Sequence, residues 1–221
     1  MKLVLYSGYD EDNGQIDLEL VKLINKPSPR VTFIPSAHHL PEHDYEYFCQ
    51  SFADYGVKDI RIFNVDQPFS RTQADMALNS DLIYLSGGNT YYFLHWIRKQ
   101  GFEKKLREFV QNGGVLAGLS AGAILMTPSI ATASYPKFDR DHNQVKVKDL
   151  TALNLVKFEF FPHYSPVEEY AKELKKQSKK ISWPIYGVDD GGGIVVDGKT
   201  LKFYGKVWGY FGGKEFLVNP F

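Results

Sequence analysis

The sequence predicts an α/β fold: a mostly parallel sheet with helices on both faces, closed by a short β-rich C-terminal part. Three observations lead there. Five short runs before residue 121 are apolar and β-branched almost throughout, as strands are when both faces of a sheet are covered. Helix-period stretches lie between them. Beyond residue 184 the chain changes to short apolar runs punctuated by Gly and Asp-Gly, the pattern of tight strand-to-strand turns.

In chain order, "KLVLYSG" (2–8), "RVTFIPSA" (30–37), "IRIFNV" (60–65), "LIYLSGG" (82–88) and "VLAGLS" (115–120) read as strands. Tyr45, Phe48, Cys49 and Phe52 follow i, i+3, i+4, i+7 and predict a helix between the second and third. Phe102, Leu106, Phe109 and Val110 predict another, ending at the "NGG" of 112–114. Such alternation favours parallel strands joined by helical crossovers. "FEFFPHYSP" (158–166) is expected to be a strand running into a loop, and "SPVEEYAKELKK" (165–176) a helix. Ser165 suits its cap, Pro166 its first turn and Glu168 a capping box, with Val167, Tyr170, Ala171 and Leu174 as the buried stripe. No repeat or linker interrupts the chain, so residues 1–221 are expected to form a single domain.

Bulk composition narrows the function. Lys and Arg total 26, as do Asp and Glu, so no net field draws nucleic acid or an anionic membrane. The start, "MKLVLYSGYD", is too short an apolar run for a signal peptide, and no segment approaches the roughly 20 apolar residues of a membrane span. The single cysteine, Cys49, cannot form an internal disulfide, which fits a reducing cytoplasm. A homodimer stays open.

"GLSAGA" (118–123) is the most informative stretch. Gly118 to Gly122 match G-x-S-x-G, in which a serine at a sharp strand-to-helix turn is presented at the carboxyl end of a sheet. Ser120 is then a nucleophile, and the N–H of Ala121 points toward an oxyanion. "SGGNTYYFL" (86–94) ends the preceding strand. Its Gly87 and Gly88 are candidate second donors and Asn89 a candidate substrate contact, against the plainer reading of a Gly-rich turn capped by Asn89.

A serine nucleophile needs a base, usually histidine. Among six histidines, His38, His39 and His43 include a metal-like spacing of four, but Leu40 and Pro41 break the helix that spacing requires, so no metal is expected. His95 falls within a helix and His142 in a polar loop. His163 ends an aromatic strand behind Pro162 and is the expected base. Asp189 and Asp190, at the end of another strand, are candidates for the acid that orients it; Asp139 and Asp141 compete from the loop at 134–144. No histidine follows His163, which disfavours the Ser, acid, His order of ordinary α/β-hydrolases.

Taken together, "SGGNT", "GLSAGAILM", "FFPHY" and "YGVDDGGGIVVDG" resemble, in order and spacing, the peptidase E and cyanophycinase family of serine peptidases. "VTFIPSA" and the helix after His163 fit as well, so the resemblance spans nearly the whole chain. It implies a class I glutamine amidotransferase-like fold with serine replacing cysteine, Ser120 as nucleophile, His163 as base and no cofactor. Asp190 falls where the cyanophycinase branch has a glutamate. The aspartate that the peptidase E branch carries soon after the elbow is replaced here by Ser134 and Tyr135. The resemblance implies a Ser-His-Asp triad acting on dipeptides with an N-terminal aspartyl residue, or on β-aspartyl-arginine, with Arg98, Lys137 and Arg140 as candidate counter-charges. An esterase or amidase with the same triad and a non-catalytic small-anion-binding module are the alternatives. Residues 134–144 have the polar and aromatic mix of a lid.

Overall fold

The five apolar runs become β1 (Lys2–Tyr6), β2 (Arg30–Ile34), β3 (Asp59–Ile62), β4 (Leu82–Leu85) and β5 (Val115–Leu119). The structure, a computed structural model, describes residues 1–9, 14–39, 42–53 and 55–219, the side chains of 42–44 excepted. These strands are all parallel, in the order β3-β2-β4-β5-β1. Each run ends with residues that continue past its strand at the carboxyl edge of the sheet, and Ser7, Gly88 and Ser120 lie among them. In an open parallel sheet that edge is where ligands bind.

The pleat sorts side chains onto two cores. Leu3, Leu5, Ile83 and Leu116 face one cluster, and Val4, Tyr6, Tyr84 and Ala117 face the other. The first is covered by α3 (Arg71–Leu78), α4 (Thr90–Lys99) and α5 (Phe102–Gln111). The second is covered by α1 (Gly14–Ile24) and α2 (Glu42–Ala53). The α3 start carries a capping box in which Ser70 Oγ accepts from Gln73 N–H at 3.2 Å and Ser70 N–H donates to Gln73 Oε1 at 2.7 Å. The break expected at Leu40 and Pro41 lies outside the described residues.

The β-rich C-terminal part divides between two sheets. A short α6 (Ala121–Ile124) follows β5, and then β6 (Glu159–Phe161), α7 (Glu168–Gln177) and β7 (Ile185–Val188). After these, β8 (Gly193–Asp197) and β9 (Thr200–Tyr204) extend the main sheet beyond β1 in antiparallel sense, making it seven-stranded. The last strands, β10 (Val207–Phe211) and β11 (Lys214–Asn219), join β7 and β6 in a four-stranded sheet of order β11-β10-β7-β6. The turn between β7 and β8 therefore crosses from one sheet to the other, and Asp189 and Asp190 sit in it.

One helix departs from expectation. α7 starts at Glu168, and the residue before it, Val167, makes no side-chain cap, so Ser165 does not close a capping box. Val167 is 43% exposed, and Leu174 is the buried anchor, with Tyr170 and Ala171 half-buried. The helix lies along β10 and β11, where only a narrow stripe is covered. Among the described residues no helix is long and apolar enough to cross a membrane.

Candidate active site

Ser120 joins β5 to α6 at φ 48° and ψ −106°, outside the broad regions open to a side-chain-bearing residue. Two bonds hold it there: its N–H donates to Tyr6 C=O and its C=O accepts from Ile124 N–H, both at 2.9 Å. The flanking glycines are steric requirements with different partners. A Cβ on Gly118 would stand 2.4 Å from the Gly122 carbonyl carbon, whereas one on Gly122 would stand 2.3 Å from the Leu85 carbonyl oxygen on β4. Only the first is a clash within the turn; the second is between the start of α6 and the neighbouring strand β4.

The Ser120 hydroxyl lies 2.9 Å from His163 Nε2, and His163 Nδ1 lies 2.7 Å from Asp190 Oδ1. A carboxylate only accepts, so Nδ1 carries the proton and Nε2 of the neutral ring is left to accept from the serine. The bond from His163 holds the Asp190 carboxyl below its ordinary range, outweighing the opposing effect of burial. His163 follows β6 and Pro162, with φ at 55°. Its N–H donates to Ser7 Oγ at 2.7 Å, and Tyr164 N–H donates to Val188 C=O at 2.9 Å, which ties the end of β6 to the end of β7.

The other carboxylates are turned elsewhere. Asp189 Oδ1 accepts from Lys206 N–H at 2.8 Å, and burial pushes its carboxyl up. Asp139 accepts from the Tyr170 hydroxyl at 2.6 Å and Asp141 from Thr90 N–H at 2.7 Å. Neither bonds to His163, but both line the cleft of about 310 Å³ beside it. Gly88, Ser120 and His163 form one part of that cleft; Thr132, Tyr135, Asp139 and Asp141 form another. The segment expected as a lid thus supplies a wall, pinned by Asp141 N–H to Ala133 C=O at 2.9 Å.

Gly88 lines the cleft at φ 126°, a glycine conformation, and Gly87 packs near Ser120, so that an added Cβ would lie 3.8 Å from the Ser120 Cβ. Ala121 is the first residue of α6, where an N–H has no acceptor within the helix. Asn89 departs from the expected substrate contact. Its oxygen caps α4 by accepting from Tyr92 N–H at 2.9 Å, and its amide donates to His142 C=O at 3.0 Å.

Among the candidate counter-charges, Arg98 is committed to Asp149, Thr151 and Glu103, while Lys137 and Arg140 are exposed and outside the cleft lining. His38 bonds through Nδ1 to the buried Asp66 at 2.8 Å, and His95 packs edge-on against Trp96. Among the described residues no three His, Cys, Asp or Glu side chains are grouped to hold a metal; the His43 side chain lies outside them. Ser7 and Gly8 touch the site without having been singled out by any motif. Their only sequence signal is position, at the carboxyl end of the first strand.

A strained serine at a strand-to-helix turn, hydrogen-bonded to histidine on an α/β sheet, defines a serine hydrolase. Residues 3–204 match the sequence model of Peptidase family S51, and the chain belongs to that family. It is 28% identical over 207 residues to the uncharacterized peptidase PM1590 of Pasteurella multocida strain Pm70, covering 90% of this chain and 95% of that one. It is 25% identical over 209 residues to Peptidase E of Shewanella denitrificans, covering 90% and 84%. A crystal structure of a peptidase E candidate from Listeria monocytogenes EGD-e superposes with a TM-score of 0.74 at 26% identity, covering 91% of this chain and 96% of that one. The protein is a serine-type peptidase.

Proposed function

We propose that the protein hydrolyses short peptides, dipeptides with an N-terminal aspartyl residue among them, through Ser120, His163 and Asp190. The observation that carries this reading is the continuous hydrogen-bonded path from Ser120 Oγ through both ring nitrogens of His163 to Asp190. Ser120 attacks the peptide carbonyl as His163 Nε2 takes its proton, and Asp190 offsets the charge gained by the ring. The N–H groups of Gly88 and Ala121 receive the oxyanion. His163 then protonates the leaving amine, and water attacks the acyl-enzyme with His163 again as base. Every step is proton transfer and acyl transfer among these groups.

The aspartyl preference rests on the resemblance to peptidase E. The cleft adds a constraint: its described lining contributes Asp139 and Asp141 and neither Lys nor Arg. Such a field favours a free α-ammonium over a second carboxylate. The amino terminus of a dipeptide suits that wall, and an aspartyl side chain must point away from it. The same field weighs against a small-anion-binding module. An esterase would share the acyl chemistry and differ only in leaving group.

A panel of Asp-X, Ala-X, Glu-X and β-Asp-Arg dipeptides, run beside an ester, tests the reading with Ser120→Ala as control. Serine-dependent cleavage of the dipeptides is expected, with Asp-X leading. Ester turnover with every dipeptide inert would replace peptidase by esterase.

A further inference from the structure

We infer that Ser7 is a positioning residue that sets the geometry of the base, and that the end of β1 is the common reference for all three triad members. The inference rests on the triad reading above.

Ser7 is fully buried and makes two short contacts. Its Oγ accepts from His163 N–H at 2.7 Å and donates to Val188 C=O at 2.8 Å. A hydroxyl has one proton, and the shorter contact takes it, so the 3.5 Å approach of Oγ to Asp190 Oδ1 is left as a packing contact. One side chain thus bridges the strand ends that carry the base and the acid. His163 needs such a clamp, because a non-glycine residue at φ 55° keeps that conformation only when its surroundings over-determine it. Burial of Ser7 makes the clamp hard to replace, since removing its hydroxyl takes away an acceptor at a position where the side chain itself has no solvent contact.

The neighbours of Ser7 complete the arrangement. Tyr6 C=O takes Ser120 N–H at 2.9 Å. Ser7 N–H donates to Gly192 C=O at 3.0 Å and Gly8 C=O accepts from Gly191 N–H at 3.1 Å, which pins the turn carrying Asp190. Residues 6–8 therefore hold nucleophile, base and acid, which come from three other stretches of the chain. A triad assembled on one strand end keeps its internal distances even if the outer elements shift.

The test measures inactivation by a fluorophosphonate, which needs an activated Ser120 but no knowledge of the natural substrate. Ser7→Ala and Ser7→Cys, which nearly keeps the volume and weakens the acceptor, are compared with wild type per folded molecule. The expected result is a fall in kinact of about 10- to 100-fold with the inhibitor's KI unchanged, as for a misplaced catalytic group. Combined with Asp190→Asn, the loss should be smaller than the product of the single losses, because both changes act through His163. A purely structural Ser7 would lower Tm, leave kinact per folded molecule unchanged and combine multiplicatively with Asp190→Asn; that pattern overturns the inference. If wild type itself is not labelled, the triad reading fails first. Should both variants fold poorly, amide exchange of His163 in the wild-type protein decides. Protection supports the clamp, and exchange at the rate of an exposed amide overturns it.

Discussion

Gly8 lies so close to Asp190 that a Cβ added to it would stand 2.1 Å from the Asp190 Oδ1 and 2.6 Å from its Cγ. Gly8 has no positive φ, so its backbone accepts alanine, and the cost falls on the contact alone. A carboxylate is mobile enough to swing aside cheaply, but it then leaves His163. Gly8→Ala is expected to lower kcat by about 100-fold while costing less than about 1 kcal/mol of stability. Urea unfolding and steady-state kinetics on one preparation check the split. A variant as active as wild type would show that Asp190 is not needed in its observed position.

The carboxylates should rank sharply. Asp190→Asn is expected to cost about 100- to 10,000-fold in kcat, as does removing the orienting acid of a serine triad. Asp139→Asn and Asp141→Asn, which remove charge from the cleft wall without touching His163, should act mainly on KM and raise it for substrates with a free amino terminus. Ser120→Ala should remove about 10,000-fold or more. Equal losses in kcat at all three aspartates would contradict the assignment.

Gly122 tests the elbow as a steric device. Its hypothetical Cβ meets backbone on β4 at 2.3 Å, and neither the start of α6 nor the strand can yield as a side chain could. Gly122→Ala is expected to destabilise by about 2 kcal/mol or more, read as a lower urea midpoint, with labelling of Ser120 lost in step. A wild-type midpoint would mean that α6 and β4 separate more easily than their packing suggests.

Asp17 should shape the pH dependence of stability. It is buried on α1, accepts from the Tyr6 hydroxyl at 2.9 Å, and burial pushes its carboxyl up from 3.8 to about 6. The native state holds this proton more tightly than the unfolded chain. The resulting stabilisation is complete below pH 3.8 and is lost as the pH rises through about 6. It amounts to at most about 3 kcal/mol. Asp17→Asn should flatten the profile between those limits and raise stability at pH 7. Urea midpoints at pH 4, 5, 6 and 7 give the answer, and parallel profiles for the two proteins would refute it.

Much of the site was legible because its signals are local. The G-x-S-x-G spacing puts Gly118 and Gly122 at fixed places beside Ser120, and the clash that Gly118 avoids is itself within the turn. His163 stood out by ending an aromatic strand behind a proline. Four carboxylates were compatible with the acid's place, since "DD" before a glycine run and the aspartates of a polar loop look alike as turn chemistry. Ser7 was invisible: a serine at a strand end has no periodicity or spacing to mark it.

By itself the sequence determined which runs are strands and where the nucleophile turns, because continuous apolar runs and turn chemistry depend on neighbours a few positions away. Only the tertiary structure decided that Asp190 meets His163 while Asp189 turns to Lys206. It also decided that the last strands divide between two sheets, and that Ser7 reaches a base 156 positions further along the chain. These are choices among chemically similar partners, and they are made by distances between segments that meet only when the sheets close on one another.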